Sequence, residues 1–227
     1  MHVVAIIPAY NEEKRIIASA QDALRFVDEI VVVDDCSHDN THVHAQSTGA
    51  HVLHHIVNRG QGAALQTGMD YALKELNADI IVHFDADGQM MADDIPKLIA
   101  PLVSGQADIA LGTRFLEKRA QNMPWSRLLT LKLATWFTVL FSGISVTDTH
   151  NGFRALSRKA AEDLTITLNR MAHASQILDL IKVKGLRFIE VPVTIRYTDE
   201  TLEKGQSSLG SFVILKDLFM DRFFSDL

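Results

Sequence analysis

The sequence predicts an α/β protein built on a mostly parallel central sheet with helices on both faces. Three observations carry this expectation. Short apolar runs alternate with helix-like stretches through the first hundred residues. Those runs are apolar almost throughout rather than at every second position, which marks strands buried on both faces. Acidic turns close several of them, at Asp34-Asp35-Cys36-Ser37 and Asp85-Ala86-Asp87-Gly88-Gln89. A doubly wound sheet carries its ligands beyond such carboxyl ends.

Taken in order, residues 3–7 form a strand, 12–26 a helix and 29–33 a second strand. A helix follows from about 40 to 48, then a short strand over 52–55 and a helix over 62–76. The run 79–84 is a strand, and 95–104 is a helix whose capping positions are filled by Asp93 and Asp94. Residues 108–111 give one more strand. The second half is less regular. A long helix-like region follows Pro124, a short strand covers 152–156, and a helix runs from about 174 to 184. Strand character returns over 186–190 and 191–197, around Pro192. Residues 198–210 are polar and read as a loop, and 211–224 as an amphipathic helix. No repeat or linker interrupts the pattern, so one domain over 1–227 is expected.

A chain of 227 residues suffices for one large, well-buried core. Its formal charge of -6 argues against a nucleic-acid partner. A single cysteine, Cys36, excludes an internal disulfide framework and fits a reducing compartment. Met1-His2 leads straight into a strand without a basic segment, so no signal peptide is expected. Residues 128–146 are the one stretch worth weighing as a membrane span, which needs about 20 mostly apolar residues. Lys132 and Gly143 interrupt it. It reads as a core helix or as an interfacial one anchored by Trp136 and Phe137.

Asp85 and Asp87, two positions apart where an apolar strand ends, can both reach one cation. Mg²⁺ or Mn²⁺ prefers such oxygen ligands and shares them with substrate phosphates. The competing reading of these two residues is helix capping, a role Asp93 and Asp94 already fill. Pro8-Ala9-Tyr10-Asn11-Glu12-Glu13 and Asp34-Asp35-Cys36-Ser37 close the first and second strands. A tyrosine ring and a carboxylate there suit a base and ribose. Asn58-Arg59-Gly60-Gln61-Gly62 precedes a helix and offers backbone N–H groups and a guanidinium to phosphate. It lacks the third glycine of a dinucleotide fingerprint and the Lys-Ser/Thr pair of a P-loop. The ten histidines show no zinc spacing with Cys36, and core or surface roles are expected for them.

These segments together resemble family 2 glycosyltransferases, in particular the branch of dolichol-phosphate mannose synthase-like enzymes. The resemblance runs from residue 3 to about 210. It continues through Gly112-Thr113-Arg114, Asp148-Thr149-His150-Asn151-Gly152-Phe153-Arg154, Glu190-Val191-Pro192-Val193 and Lys204-Gly205-Gln206-Ser207-Ser208. It implies a GT-A fold, with a nucleotide-binding half to about residue 112 and an acceptor half beyond it. It also implies inverting transfer from a nucleoside-diphosphate sugar. Pro8, Tyr10, Glu12 and Asp35 would hold the nucleoside, with Arg59 near the phosphates. Asp85, Asp87 and Gln89 would hold Mg²⁺ or Mn²⁺ on the diphosphate. Arg114 and Arg127 would steer an acceptor phosphate, and Arg196, Lys204 and Ser207 would close over the donor.

The expected acceptor is a polyprenyl phosphate at the cytoplasmic membrane face, reached by peripheral contact or through a membrane partner. The donor would be of UDP or GDP type. An acceptor phosphate is already ionised, whereas a sugar hydroxyl requires a base. The family often carries a glutamate where this chain has Gln176, and the branch often has lysine where it has Gln61. A glutamine cannot take the proton, so Gln176 either supports a phosphate acceptor or signals reduced activity. With Gln61 it motivates one alternative, nucleotide-sugar binding without transfer. A second alternative is transfer to a carbohydrate hydroxyl, with Asp148 as the acidic candidate.

Overall fold

The computed structural model describes residues 1–116, 120–121, 144–149, 151–168 and 172–196. Arg127, Trp136, Phe137, His150, Lys204 and Ser207 lie outside these. So do the expected helix after Pro124, the loop over 198–210 and the helix over 211–224.

β1 (Val3–Ala9) lies in parallel between β2 (Glu29–Asp34) and β4 (Ile80–His83), and β3 (His51–His54) extends the sheet beside β2. On the other side β7 (Arg154–Ser157) runs antiparallel to both β4 and β5 (Ile109–Thr113). β8 (Phe188–Pro192) is the parallel edge strand beside β5. The order is therefore β3-β2-β1-β4-β7-β5-β8. β6 (Ala120–Gln121) and β9 (Ile195–Arg196) form a separate parallel pair. The chain moves outward from β1 through β2 and β3, then returns to β4 on the other side of β1. That reversal opens a crevice at the carboxyl ends of β1 and β4.

The apolar runs divide their side chains between two cores. Val3, Ala5, Ile7 and Ala9 pack with Ile16, Ala20 and Ala23 of α1 (Ile16–Leu24) and with Ile95 and Leu98 of α4 (Ile95–Val103). Val4 and Ile6 face the other way. They join Leu65, Met69 and Ala72 of α3 (Gln61–Lys74), Ala160 and Ala161 of α5 (Arg158–Asp163), and Ile177 and Ile181 of α6 (Ala172–Val183). α2 (Thr41–Ser47) covers the β2–β3 corner through Ala45. A strand with period two but no polar face follows directly from this sandwiching.

Several details differ from the sequence expectation. α1 starts at Ile16, not residue 12, and the N–H groups of the preceding loop bond to side chains of the loop after β2 and the start of α2. Asn11 donates to Ser37 Oγ, Glu12 to Thr41 Oγ1 and Glu13 to Asp39 Oδ2. Asp93 and Asp94 do not cap α4 with their side chains. Asp94 instead accepts from Thr194 N at 2.7 Å and from Lys97, and Asp93 pairs with Arg25. α5 has no counterpart in that expectation, although Ser157 signals it by accepting from Ala160 N as an N-cap. Pro192 ends β8 rather than interrupting a strand, a place an edge strand tolerates.

Candidate active site

The loops after β1, β2 and β4 meet at the carboxyl edge. Asn11, in the left-handed region at φ 55°, accepts from His38 N through Oδ1. This ties the first loop to the second. Tyr10 is 44% exposed, with its ring edge-on to His38 at 6.3 Å, so a large aromatic face stays open to solvent. Glu12 pairs with Arg15 at 2.9 Å, and Pro8 is half-buried beneath this loop.

Asp35 is buried and works on the chain itself. Its Oδ1 accepts from Arg59 N at 2.8 Å and faces His55 Nδ1 at 2.7 Å; its Oδ2 accepts from Gly60 N at 2.7 Å. The carboxylate thus shapes the turn that opens α3, while the Arg59 side chain is exposed beyond it. Gln61, the first residue of α3, donates from Nε2 to Asp85 Oδ1 at 3.0 Å.

Asp85 and Asp87 follow β4 as the strand pattern predicted. Asp87 Oδ1 accepts from Gln89 N at 2.9 Å, which folds the loop back on itself. Gln89 O accepts from Arg196 N at 2.9 Å, and Met90 bridges to Ile195, so β9 backs this loop. The Arg196 side chain lines a groove on the α1 side together with Ser19, Gln21 and Met91. Burial pushes the Asp85 carboxyl up to about 7; adjacent Asp87 adds to this, and Arg154 and Gln61 oppose it. Two ionised carboxylates are disfavoured here until a cation joins them. Two carboxylates two positions apart on one loop are the oxygen donors that a hard divalent ion prefers.

A polar layer behind Asp85 was missed by sequence reasoning. Because β7 runs antiparallel, its first residue, Arg154, stands opposite His83 at the end of β4. The loop entering β7 therefore reaches the site, and a Cβ on Gly152 would sit 3.1 Å from Asp85 Oδ2. Arg154 is buried, its Nη1 lacks a hydrogen-bond partner, and burial lowers its pKa to about 10 against the charges of Asp85 and Asp148. His83 is buried with neither ring nitrogen bonded, and burial lowers it to about 3, helped by Arg154 and His173. It is a neutral imidazole. The available signal was a histidine and an arginine at the ends of otherwise apolar strands.

Arg114 and Asp148 form a buried ion pair across the ends of β5 and the 144–149 segment. Arg114 Nε and Nη2 each reach one Asp148 oxygen at 2.7 Å, and Arg114 N donates to Oδ2 at 3.1 Å. Both arms of the guanidinium thus hold the carboxylate in place. Gln176 is likewise engaged: its Oε1 accepts from Thr167 N and Leu168 N at 3.0 and 2.9 Å, and its Nε2 donates to Thr167 Oγ1 at 2.6 Å. The amide supplies both acceptor and donor to fix that segment. Gln66 Oε1 secures Ile166 N at 2.7 Å beside it.

Among the described residues no helix is long and apolar enough to cross a membrane.

Comparison with known proteins places this geometry in a family. Residues 4–165 match the family described as glycosyl transferase family 2. The UDP-N-acetylglucosamine–dolichyl-phosphate N-acetylglucosaminyltransferase of Methanococcus voltae is 33% identical, over 96% of this chain and 95% of that protein. The polyprenol monophosphomannose synthase of Mycolicibacterium smegmatis is 29% identical, over 95% of this chain and 84% of that protein. A crystal structure of glucosyl-3-phosphoglycerate synthase from Mycobacterium tuberculosis, in complex with Mn²⁺, UDP and glucosyl-3-phosphoglycerate, superposes with a TM-score of 0.74. That likeness covers 97% of this chain and 79% of the other at 20% identity, and it is one of fold, the GT-A fold. The chain belongs to glycosyl transferase family 2.

Proposed function

We propose that this glycosyltransferase moves a hexose from a nucleoside-diphosphate sugar to a polyprenyl phosphate, with inversion at the anomeric carbon and dependence on Mg²⁺ or Mn²⁺. The whole chain acts as one domain, its nucleotide half reaching to about residue 112. Tyr10 offers its open ring to the base, with Pro8 and Glu12 below. Asp35 positions the Arg59-Gly60 turn for the phosphates. Asp85, Asp87 and Gln89 hold the cation. When bound, the ion supplies charge neutralisation on the departing nucleoside diphosphate. Gln61 holds Asp85 in place for it, and Arg154 sets a buried positive charge nearby. Arg196 and, outside the described residues, Lys204 and Ser207 keep the donor-closing role that the family resemblance implies.

The observation that carries the acceptor class is the Arg114–Asp148 pair. Transfer to a sugar hydroxyl needs a carboxylate to take a proton, and the candidate Asp148 is committed to Arg114. A lipid phosphate brings its own ionised oxygen and needs no such base. The two relatives whose names specify dolichyl phosphate and polyprenol monophosphomannose support the same class. Arg127 is then left to meet the acceptor phosphate, with Arg114 fixed by Asp148 at the end of β5. Contact with the membrane is peripheral, at its cytoplasmic face.

The test is transfer by the full chain from a panel of labelled UDP- and GDP-sugars to a polyprenyl phosphate in detergent with Mn²⁺. Label extracted as a phosphate-linked lipid, of anomeric configuration opposite to the donor, is expected. Transfer confined to oligosaccharide hydroxyls, or nucleotide-sugar binding with no transfer, would contradict the reading.

A further inference from the structure

We infer that Asp34, His42 and His54 form a site for one borderline divalent cation, Zn²⁺ foremost, separate from the Asp85–Asp87 centre. Asp34 ends β2, and His54 ends β3 directly opposite it in parallel register. His42 stands in the first turn of α2. Residues 34, 42 and 54 have no zinc-like spacing, so no local pattern signals the site. Folding nonetheless brings one ligand atom from each within 4.8 Å of the others.

The distances suit an ion. Two ligands about 2.1 Å from a tetrahedral Zn²⁺ lie about 3.4 Å apart. Asp34 Oδ2 is 3.5 Å from His42 Nδ1 and 2.9 Å from His54 Nδ1. Of these two, the second pair has to open, by roughly 0.5 Å on the same geometry. The half-exposed His54 ring is free to make that movement, and its exposure leaves a route for the ion and a position for water.

The orphaned atom is the stronger argument. His42 Nδ1 is buried and has no hydrogen-bond partner. A desolvated nitrogen without a partner is costly, and a cation beside Asp34 Oδ2 removes that cost. His42 Nε2 lies 3.1 Å from Gln46 Nε2, the amide nitrogen, and a flip of that amide exchanges its nitrogen and oxygen. With the amide oxygen turned inward, Nε2–H donates to it and the Nδ1 lone pair faces Asp34. Asp34 Oδ1 accepts from Ser37 N at 3.0 Å, so the carboxylate is anchored through one oxygen and presents the other.

A second His–carboxylate–His group at the opposite edge makes the contrast. Glu29 lies between His2 and His51, but the remaining ring nitrogens there face Leu76 O and Tyr71 Oη. Every ring nitrogen of that group has a partner, and it needs no ion. Two imidazoles and one carboxylate favour Zn²⁺, Co²⁺ or Ni²⁺ over Mg²⁺, which keeps oxygen ligands. An ion at Asp34 would tie β2, β3 and α2 together next to Asp35 and its turn.

The experiment uses the full chain stripped by chelator, then titrated with Zn²⁺ against a chromogenic chelator, with Mg²⁺ in excess. One equivalent should bind to the wild type and to Asp87→Ala with equal affinity. His42→Ala and His54→Ala should each weaken it by at least about tenfold. His54 is exposed enough that its variant keeps the fold should His42→Ala fail to. Absence of stoichiometric Zn²⁺ binding, wild-type affinity in His54→Ala, or loss of the site in Asp87→Ala would each overturn the proposal. Mn²⁺-dependent nucleotide binding by His54→Ala, measured alongside, stays at the wild-type level, so the donor site is read separately.

Discussion

Gln61 Nε2 donates to Asp85 Oδ1 at 3.0 Å, so the first residue of α3 holds the first carboxylate of the Asp85–Asp87 pair. The glutamine orients Asp85 without adding a charge, where the branch this chain resembles often carries lysine. Arg154 already supplies a buried positive charge from behind.

Gln61→Ala should therefore weaken Mn²⁺-dependent nucleotide binding without unfolding the protein. A single hydrogen bond to a charged group contributes about 1.5–3 kcal/mol, and solvent can replace part of it. A loss of roughly five- to tenfold in affinity is expected by calorimetry.

Asp148→Asn separates a structural role from a catalytic one. The substitution removes the carboxylate charge that both arms of the buried Arg114 guanidinium hold, and breaking such a buried pair costs about 3–5 kcal/mol. Urea unfolding should move to markedly lower denaturant. Unchanged stability with lost transfer would instead make Asp148 a catalytic residue.

Gly62→Ala tests how closely α3 approaches the 166–168 segment. An added Cβ would overlap Leu168 O and lie 3.0 Å from His173 Cβ in α6. A backbone oxygen and the root of a side chain cannot yield cheaply, so a loss of about 1–3 kcal/mol is expected. The measurement is the urea midpoint of the variant against the wild type.

Asp108 gives the fold a small acid-sensitive contribution. Hydrogen bonds from Arg187 hold its carboxyl down to about 2, against the opposing effect of burial. A carboxyl lowered in the folded state stabilises above its unfolded value and loses that contribution as pH falls from about 4 through about 2. The Arg187 side chain is 60% exposed, so solvent screening keeps the effect small. Urea midpoints measured from pH 5 downward should fall more steeply for the wild type than for Arg187→Ala.

The fold was legible where one strand or one turn carries the signal. Val4 and Ile6 alternate with Ala5 and Ile7, all apolar, and that alone requires a sheet covered on both faces. Asp85 and Asp87 stand out because an apolar strand stops at them. What was not legible depends on pairing between distant segments. Nothing local distinguishes an antiparallel β7 from a parallel one, yet its direction brings Arg154 and Gly152 to Asp85. Arg114 and Asp148 lie 34 positions apart, and only the folded chain joins them. Asp94 looked like a helix cap, but Thr194 N, 100 positions away, claims its carboxylate.

The central claim is a cation held by Asp85 and Asp87 on a nucleoside diphosphate, and calorimetry with UDP and GDP tests it most directly. The predicted result is binding in Mn²⁺ that is abolished by EDTA and weakened by more than about tenfold in Asp87→Ala, with the thermal midpoint unchanged. Equal affinity in EDTA, or in Asp87→Ala, would contradict it.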